Sequence, residues 1–314
     1  MRFLFVMDPA ETMHPKQDTS FALMRGALAR GHQCLHCLPR HLSSQGRELT
    51  ARFRYIVVSD TAPHVQLGRE EEVSVADLDA VFVRKDPPFD VHYLHLTQQL
   101  DLVRDRTLVI NHPAGLRTAN EKLFAFRFSQ YTPRSLVTAD RSRIHDFVRE
   151  LGTAVLKPLD GAGGSGVVTL STTDRNTRSL VDLHTQEGRE LALVQEYLPA
   201  IRTGDKRVLM LDGAPLGTIL RVPREDDIRA NIHVGGHVQA TDLDPQERAL
   251  VLDVGRELRA HGLWFVGLDL IGGRLIEVNV TSPTGIQELG RLTGTQPEAT
   301  VIDWVEQRVT ESGS

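Results

Sequence analysis

Two cysteines in 314 residues are too few for a disulfide framework, and both lie in one short stretch, Cys34 and Cys37. That spacing suits a redox pair or half of a zinc site, but no second pair exists to complete zinc ligation. The segment 33–38 follows a helix stop at Gly31 and reads as a strand, where positions three apart face opposite sides. The expectation is two packed, reduced thiols. Long apolar runs are also missing. Nothing approaches the roughly 20 residues of a membrane span. The run at 2–7 is too short for a signal peptide, and no cleavage-like site follows it. A strong charge of either sign is missing too. With 36 basic and 41 acidic residues, net −5, nothing favours nucleic acid or an anionic membrane as the main partner. Internal repeats and low-complexity segments are absent. These exclusions leave an ordinary globular chain, expected in the cytoplasm and long enough for one large core or two to three lobes.

What is present begins with β-α-β alternation. Residues 2–7 read as a buried strand, and 18–30 as a helix capped by Asp18 or Thr19 and stopped at Gly31. Strands are expected at 33–38, 55–59, 78–84 and 108–111, and a helix at 92–104. Residues 1–120 are therefore expected to form an open α/β domain, whose ligands would sit beyond the carboxyl ends of its strands. Arg84, Lys85 and Asp86 fall at such an end. From Asn120 the texture changes to a small α+β lobe. Helices are expected at 121–128, 142–151 and 178–184, with strands at 133–137, 153–156, 167–171 and 192–196. A third part carries strands at 207–211 and 216–222, helices at 245–261 and 297–309, and an apolar hairpin over 267–283.

That hairpin holds three oxygen-bearing side chains among hydrophobics, a costly arrangement unless they are paired or bound to a cation. Glu277 and Asn279 share one face of a strand. A two-residue turn at Gly272-Gly273 would set Asp269 opposite Ile276, with Glu277 pointing away. A three-residue turn, Gly272 to Arg274, would set Asp269 opposite Glu277 and let three oxygens converge, as a hard cation requires. The alternative is a hairpin whose polar residues face solvent.

A second feature is the glycine loop Gly161-Ala-Gly-Gly-Ser-Gly166. It matches the G-x-G-x-x-G pattern, but a dinucleotide fold needs a helix after the loop. Here a β-branched run follows, which favours a strand. No Gly-Lys-Ser/Thr marks a Walker loop. A strand–loop–strand of this kind can still cradle phosphates through its backbone N–H groups, with Lys157 in reach as a point charge.

Taken together, Asn120-Glu-Lys-Leu-Phe124, the Lys157 strand with its glycines, Gln195-Glu-Tyr-Leu-Pro199, Gly204-Asp-Lys-Arg-Val208 and the hairpin resemble the ATP-grasp superfamily. Within it, the chain is similar to the prokaryotic glutathione synthetase family nearly end to end, including Met7-Asp-Pro9 and the stretch 84–90. The resemblance implies an N-terminal α/β substrate domain at 1–120. A two-lobed ATP-grasp unit would follow, with a lid at 121–198 and a metal-bearing lobe at 199–314. It implies an ATP-dependent ligase that joins γ-glutamylcysteine to glycine through an acyl phosphate, or a related ligase with another donor or acceptor. Lys122, Lys157, Gly161, Gly163, Gly164 and Gly166 would meet the ATP phosphates. Gln195, Glu196, Tyr197 and Leu198 would form the adenine hinge, and Asp205 would meet the ribose. Arg207, Arg221 and Asn231 would act at the transferred phosphate and acceptor. Asp18, Ser20, Arg84, Arg229, Gly235, Gly236 and Ser282 would hold substrate. Asp269, Glu277 and Asn279 would hold Mg²⁺, or Mn²⁺ in its place. The implied partners are small-molecule substrates and, by family analogy, copies of the chain itself in a homo-oligomer. Residues 223–230 would form the closing loop; their charge and lack of glycine depart from the family pattern and bear on the acceptor.

Overall fold

The apolar run Arg2–Met7 forms β1, buried from Phe3 onward, at the middle of the first of three sheets. In the computed structural model, which describes residues 1–161, 163–224 and 237–312, β1 pairs in parallel with β2 (Gln33–Cys37) and with β6 (Ala80–Arg84). Strand β6 in turn pairs in parallel with β7 (Leu108–Ile110). The chain leaves β1 through helix α1 (Thr19–Ala29) to β2 on one side, while β6 lies on the other. The carboxyl ends of β1 and β6 therefore adjoin at a switch point, where Met7 is in register with Arg84. Asp18 caps α1, accepting from Ser20 N at 2.6 Å and Phe21 N at 3.2 Å.

An antiparallel arm was largely invisible in the sequence. It comprises β3 (Leu42–Gln45), β4 (Glu48–Val58) and β5 (Val65–Ser74), joined to the sheet through β4 on β2. Only its 55–59 portion was expected as a strand. In β4 exposed Arg52 and Arg54 alternate with buried Ala51 and Phe53, and β5 carries exposed Glu70 and Glu72 across from the two arginines. The period-2 signal is thin in β5, where no residue is buried and charged Arg69 to Glu72 run in succession. Helices α2 (Val91–Leu100) and α3 (Pro113–Thr118) complete this part. Cys34 and Cys37 are buried in two different apolar clusters. Burial pushes each thiol up to about 12, so both are inert at neutral pH.

The second sheet is antiparallel, ordered β10-β9-β11-β8: β8 (Ser135–Thr138), β9 (Thr153–Pro158), β10 (Val168–Ser171) and β11 (Ala192–Glu196). Helices α4 (Arg141–Leu151) and α5 (Thr177–His184) cover it. Its core is its own, built from Ile144, Val148, Leu156, Leu170, Val181 and Val194 with their neighbours. The third sheet is also antiparallel, ordered β14-β13-β12-β15-β16: β12 (Asp205–Leu211), β13 (Ala214–Val222), β14 (His237–Ala240), β15 (Phe265–Ile271) and β16 (Arg274–Asn279). Helices α6 (Pro245–Ala260), α7 (Ile286–Thr293) and α8 (Pro297–Ser312) belong to this part. Of these elements, β14, α3 and α7 were not foreseen.

First and third sheets share their cores. Leu4, Val81, Val208 and Val278 lie in one apolar cluster, and Phe5, Phe82, Leu209 and Ile302 in another. Buried Asn111 joins them by hydrogen bonds. Its Nδ2 donates to Phe265 O and Val280 O, each at 2.8 Å, and its Oδ1 accepts from Phe265 N at 2.7 Å. Three exposed or half-exposed pairs, Arg25–Glu298, Arg30–Asp303 and His32–Glu306, lie along the α1–α8 seam.

Because the small lobe keeps a separate core, Leu156→Ala is expected to destabilise it locally. The cost should be about 2–5 kcal/mol, seen in hydrogen exchange as lost protection in β8–β11 while β12–β16 stay protected. Equal loss in both sheets would show one undivided core.

Candidate active site

A cavity of about 640 Å³ runs between the three sheets. Its floor is one end of the third sheet. Arg221 on β13 is in register with Asp205 on β12, Arg207 on β12 with Asp269 on β15, and Asp269 with Glu277 on β16. Cross-strand partners share a face, so charged residues from four strands line up on this surface. Asn279, two residues beyond Glu277, joins them.

The hairpin reaches this result by a route the sequence did not indicate. The turn is not the expected Gly272–Arg274 triplet. Ile271 pairs with Arg274, leaving a two-residue turn at Gly272-Gly273 with φ of 54° and 72°, as a type I′ turn requires. A bulge then corrects the register. Leu270 pairs with Leu275, but Asp269 pairs with Glu277, so β16 carries one extra residue there. The bulge also breaks the alternation of faces, and Ile276 and Glu277 both line the cavity.

Four buried charges hold the floor together. Arg207 grips Asp269 with two bonds, Nε to Oδ1 at 2.5 Å and Nη2 to Oδ2 at 3.0 Å. Arg221 grips Asp205 in the same forked manner at 2.6 and 2.8 Å, and its Nη2 lies 3.0 Å from Asp269 Oδ1. Asn279 Nδ2 adds a contact to Asp269 Oδ2 at 3.2 Å. Two guanidiniums and two carboxylates sum to zero, which makes burial tolerable. Burial pushes the Asp269 carboxyl up, but Arg207 and Arg221 outweigh it and hold it well below the usual range. Burial also opposes the charge on Arg221, and Asp205 and Asp269 overcome it. Asp205, expected at a ribose, has both oxygens occupied by Arg221.

The opposite wall carries the lysines. Lys157 is buried at the end of β9 and donates to Gln195 Oε1 at 3.0 Å; burial lowers its pKa. Lys122 donates to Leu159 O at 3.2 Å and Gly161 O at 2.6 Å, tying down the start of the glycine loop. In that loop Gly163, Gly164 and Gly166 all adopt positive φ, which only glycine does cheaply. Gly161, Gly163 and Gly164 line the cavity; Gly166 does not, its carbonyl lying 2.8 Å from His184 Nε2. Gln195, Glu196, Tyr197 and Leu198 line the cavity. Val155, Tyr197, Leu198, Ile201, Ile271 and Ile276 give that lining its apolar side chains, which suit a planar ring.

At the far end, beyond β1 and β6, stand Asp18, Ser20, Arg84 and Ser282. Arg84 is 4% exposed. It donates from Nε to Ser20 Oγ at 3.1 Å and from Nη2 to Pro283 O at 3.0 Å. Its Nη1 is buried with no hydrogen-bond partner among the described residues. No carboxylate pairs with it there, and burial lowers its pKa. A buried, half-satisfied guanidinium facing a cavity suits an incoming carboxylate.

For a divalent cation the donor set has the right chemistry, since carboxylate and amide oxygens suit a hard ion. The Glu277 carboxylate makes no hydrogen bond among the described residues, and Lys122 Nζ stands 3.8 Å away, so its lone pairs are available. Asp269 already accepts four N–H contacts and reaches a cation only by exchanging one. Among the described residues no three His, Cys, Asp or Glu side chains converge as a metal site; the third member of the expected set, Asn279, carries an amide and falls outside those residue types. Arg229, Asn231, Gly235 and Gly236, with residues 225–230 of the expected closing loop, lie outside the described residues.

Several cavity residues escaped the sequence reading: Asp8, His14, Gln17, Glu121, Ile276 and Thr281. Glu121 adjoins Lys122 in the Asn120–Phe124 motif, but an acid next to a lysine carries no signal of its own in the sequence. Ile276 could not be found without the bulge.

The family model of the prokaryotic glutathione synthetase N-terminal domain matches residues 1–117, and that of the ATP-grasp domain matches residues 121–294. The glutathione synthetase of Thermosynechococcus vestitus is 42% identical over 316 residues, covering 97% of this chain and 99% of the relative. That of Brucella melitensis biotype 1 is 41% identical over 303 residues, covering 96% and 97%. Among solved structures, D-cycloserine synthetase DcsG superposes with a TM-score of 0.65 at 16% identity, covering 97% of this chain and 99% of its own. ATP-grasp ligase PsnB, complexed with precursor peptide PsnA2 and AMPPNP, gives 0.64 at 16%, covering 98% of each chain. At such identities these structures speak for the fold alone.

Asp269→Asn would leave two buried guanidiniums short of a counter-charge. The expected cost at pH 7 is about 3–5 kcal/mol, measured by urea unfolding. Because the folded carboxyl is held below its unfolded value of about 4, its stabilisation is complete above that value. It declines as pH falls through the folded value. The gap between parent and variant should therefore narrow in acid; a gap independent of pH would contradict the ion-pair account.

Proposed function

The chain belongs to the prokaryotic glutathione synthetase family, and from that premise we propose that it joins the cysteinyl carboxylate of γ-glutamylcysteine to the amine of glycine, turning ATP into ADP and phosphate. The observation that carries this reading is the layout of the cavity. Phosphate-suited cations stand at one end (Lys122, Lys157, Arg207 and Arg221), apolar side chains share the lining, and a half-satisfied buried arginine stands at the other.

A carboxylate is a poor electrophile, so it must be activated. Its oxygen attacks the γ-phosphorus, the bond to the β,γ-bridging oxygen breaks, and ADP leaves. The glycine nitrogen then attacks the acyl carbon, the carbon–oxygen bond to phosphate breaks, and the amine gives up a proton as the amide forms. Phosphoryl transfer asks the protein for position and charge rather than for a nucleophile. Lys122 and Lys157 hold the phosphates with the backbone N–H groups around Gly161, Gly163 and Gly164. Gln195 to Leu198 hold the adenine. Arg207 and Arg221 present their guanidiniums to the reacting phosphoryl group in planes fixed by Asp269 and Asp205. Asp205 thus serves the ribose only if Arg221 shares it. Arg84, with Asp18 and Ser20, receives the donor peptide by a carboxylate. Mg²⁺, for which Mn²⁺ can substitute, would be held by Glu277 and Asn279 with Asp269, and when bound it neutralises phosphate oxygens.

In this reading the chain divides into 1–120, 121–198 and 199–314, with the small lobe as lid. Residues 121–131, hydrogen-bonded to β16 through Glu121 O and Tyr131 O, form its stem. It includes a homo-oligomer working in the cytoplasm, by family analogy.

Incubation with γ-glutamylcysteine, glycine, ATP and Mg²⁺ should release one ADP per tripeptide formed. Turnover only with another amine would replace glycine as the acceptor, and ADP release without any amide product would reject the ligase reading. Arg84→Gln is expected to raise the KM for γ-glutamylcysteine roughly ten- to a hundredfold, the equivalent of about 1.5–3 kcal/mol for a charge-assisted contact. The KM for ATP should change little; an equal rise in both would take Arg84 out of the donor site.

A further inference from the structure

We infer that Glu121 is a positioning residue for the cation end of the site, acting through Val280 and Thr281; this rests on the assignment of Glu277 and Asn279 to the cation. Strand β16 ends at Asn279, whose ladder partner is Gly267. Beyond that point the backbone N–H groups have no strand to pair with, and Glu121 takes the place of one. Its Oε1 accepts from Val280 N at 3.0 Å, Thr281 N at 3.1 Å and Thr281 Oγ1 at 2.8 Å. Its main-chain oxygen accepts from Val278 N at 2.9 Å. Asn279 is thus flanked on both sides by residues bonded to Glu121. Asn111 Nδ2 takes the Val280 carbonyl from the other direction, so this peptide unit is held at both its polar ends.

Glu121 also adjoins Lys122, which stands 3.8 Å from Glu277 and holds Gly161 O. One dipeptide therefore sets two distances at once: between the lysine and the glycine loop, and between the lysine and the two oxygen donors of β16. Three donors converging on one carboxylate oxygen fix direction as well as distance. Without them, residues 280 and 281 keep only the Asn111 contact. Asn279 and Glu277 then lose their placement relative to the phosphates while the ladder of β15 and β16 survives. Glu121 touches neither nucleotide nor cation in this account.

The test separates placement from folding. Calorimetry would measure ATP binding with saturating Mg²⁺ and with EDTA, for the parent chain, Glu121→Ala, Glu121→Gln and Thr281→Val, alongside thermal unfolding of each unliganded protein. Glu121→Ala is expected to bind ATP in EDTA within about twofold of the parent but to lose tenfold or more in the presence of Mg²⁺. Glu121→Gln keeps an acceptor oxygen and should recover most of that loss. Thr281→Val, which deletes one of the three donors, should lose a few-fold. Equal losses with and without Mg²⁺, or none, would overturn the inference. If Glu121→Ala fails to fold, an Mg²⁺ response in Thr281→Val equal to the parent's overturns it instead. A parent whose ATP affinity does not respond to Mg²⁺ sinks the cation assignment and this inference with it. A responsive parent with unchanged variants sinks this inference alone.

Discussion

Most of this molecule's working surface depends on the neutral quartet Asp205, Arg221, Asp269 and Arg207. Each arginine is held by a forked carboxylate contact, and Asp269 is shared between the two. The arrangement spends three strands of the third sheet on charged side chains, where apolar packing would be cheaper. In return it presents two guanidiniums of fixed orientation to the cavity. The charge on Arg221 is favoured because its partner carboxylates outweigh the cost of burial. Preorganised charge of this kind needs no rearrangement at the moment of phosphoryl transfer.

The short segment after β16 links this quartet to the rest of the site. Its carbonyls and amides are bonded almost one by one to side chains from distant parts of the chain. Asn111 and Glu121 hold Val280, Glu121 holds Thr281, Arg84 holds Pro283 and Arg207 holds Thr284. Adjacent carbonyls thus join Arg84, at one end of the cavity, to Arg207 at the other. Two shared apolar cores fix the first sheet to the third behind this segment, whereas the glycine loop and Lys157 arrive on a lobe with its own core. The walls of the cavity therefore differ in origin: a rigid floor and back, and a front wall carried by a separately packed unit.

The ATP-grasp fold and its family were legible because their signals are local. Apolar strands, caps such as Asp18, glycines with a lysine one strand earlier, and acids within an apolar hairpin each depend on a few neighbouring residues. The parallel strands of the first sheet read clearly because both their faces are buried. The β3–β5 arm did not, because β3 is short and mostly exposed and β5 has no buried residue and a charged run from Arg69 to Glu72.

The sequence by itself determined which residue types stand where: oxygens at 269, 277 and 279, cations at 84, 122, 157, 207 and 221, and glycines where the backbone must turn. Only the tertiary structure decided how they meet. Asp269 faces Glu277 as the sequence reading required, but through a tight Gly272-Gly273 turn plus a bulge rather than a longer turn. Register is the sum of every irregularity along a hairpin, and a bulge leaves no mark in periodicity. In the same way, nothing near Asp205 or Glu121 in the chain reveals that one clamps an arginine and the other replaces a strand. Those roles follow from partners 16 and about 160 residues away, brought within bonding distance only when the sheets pack.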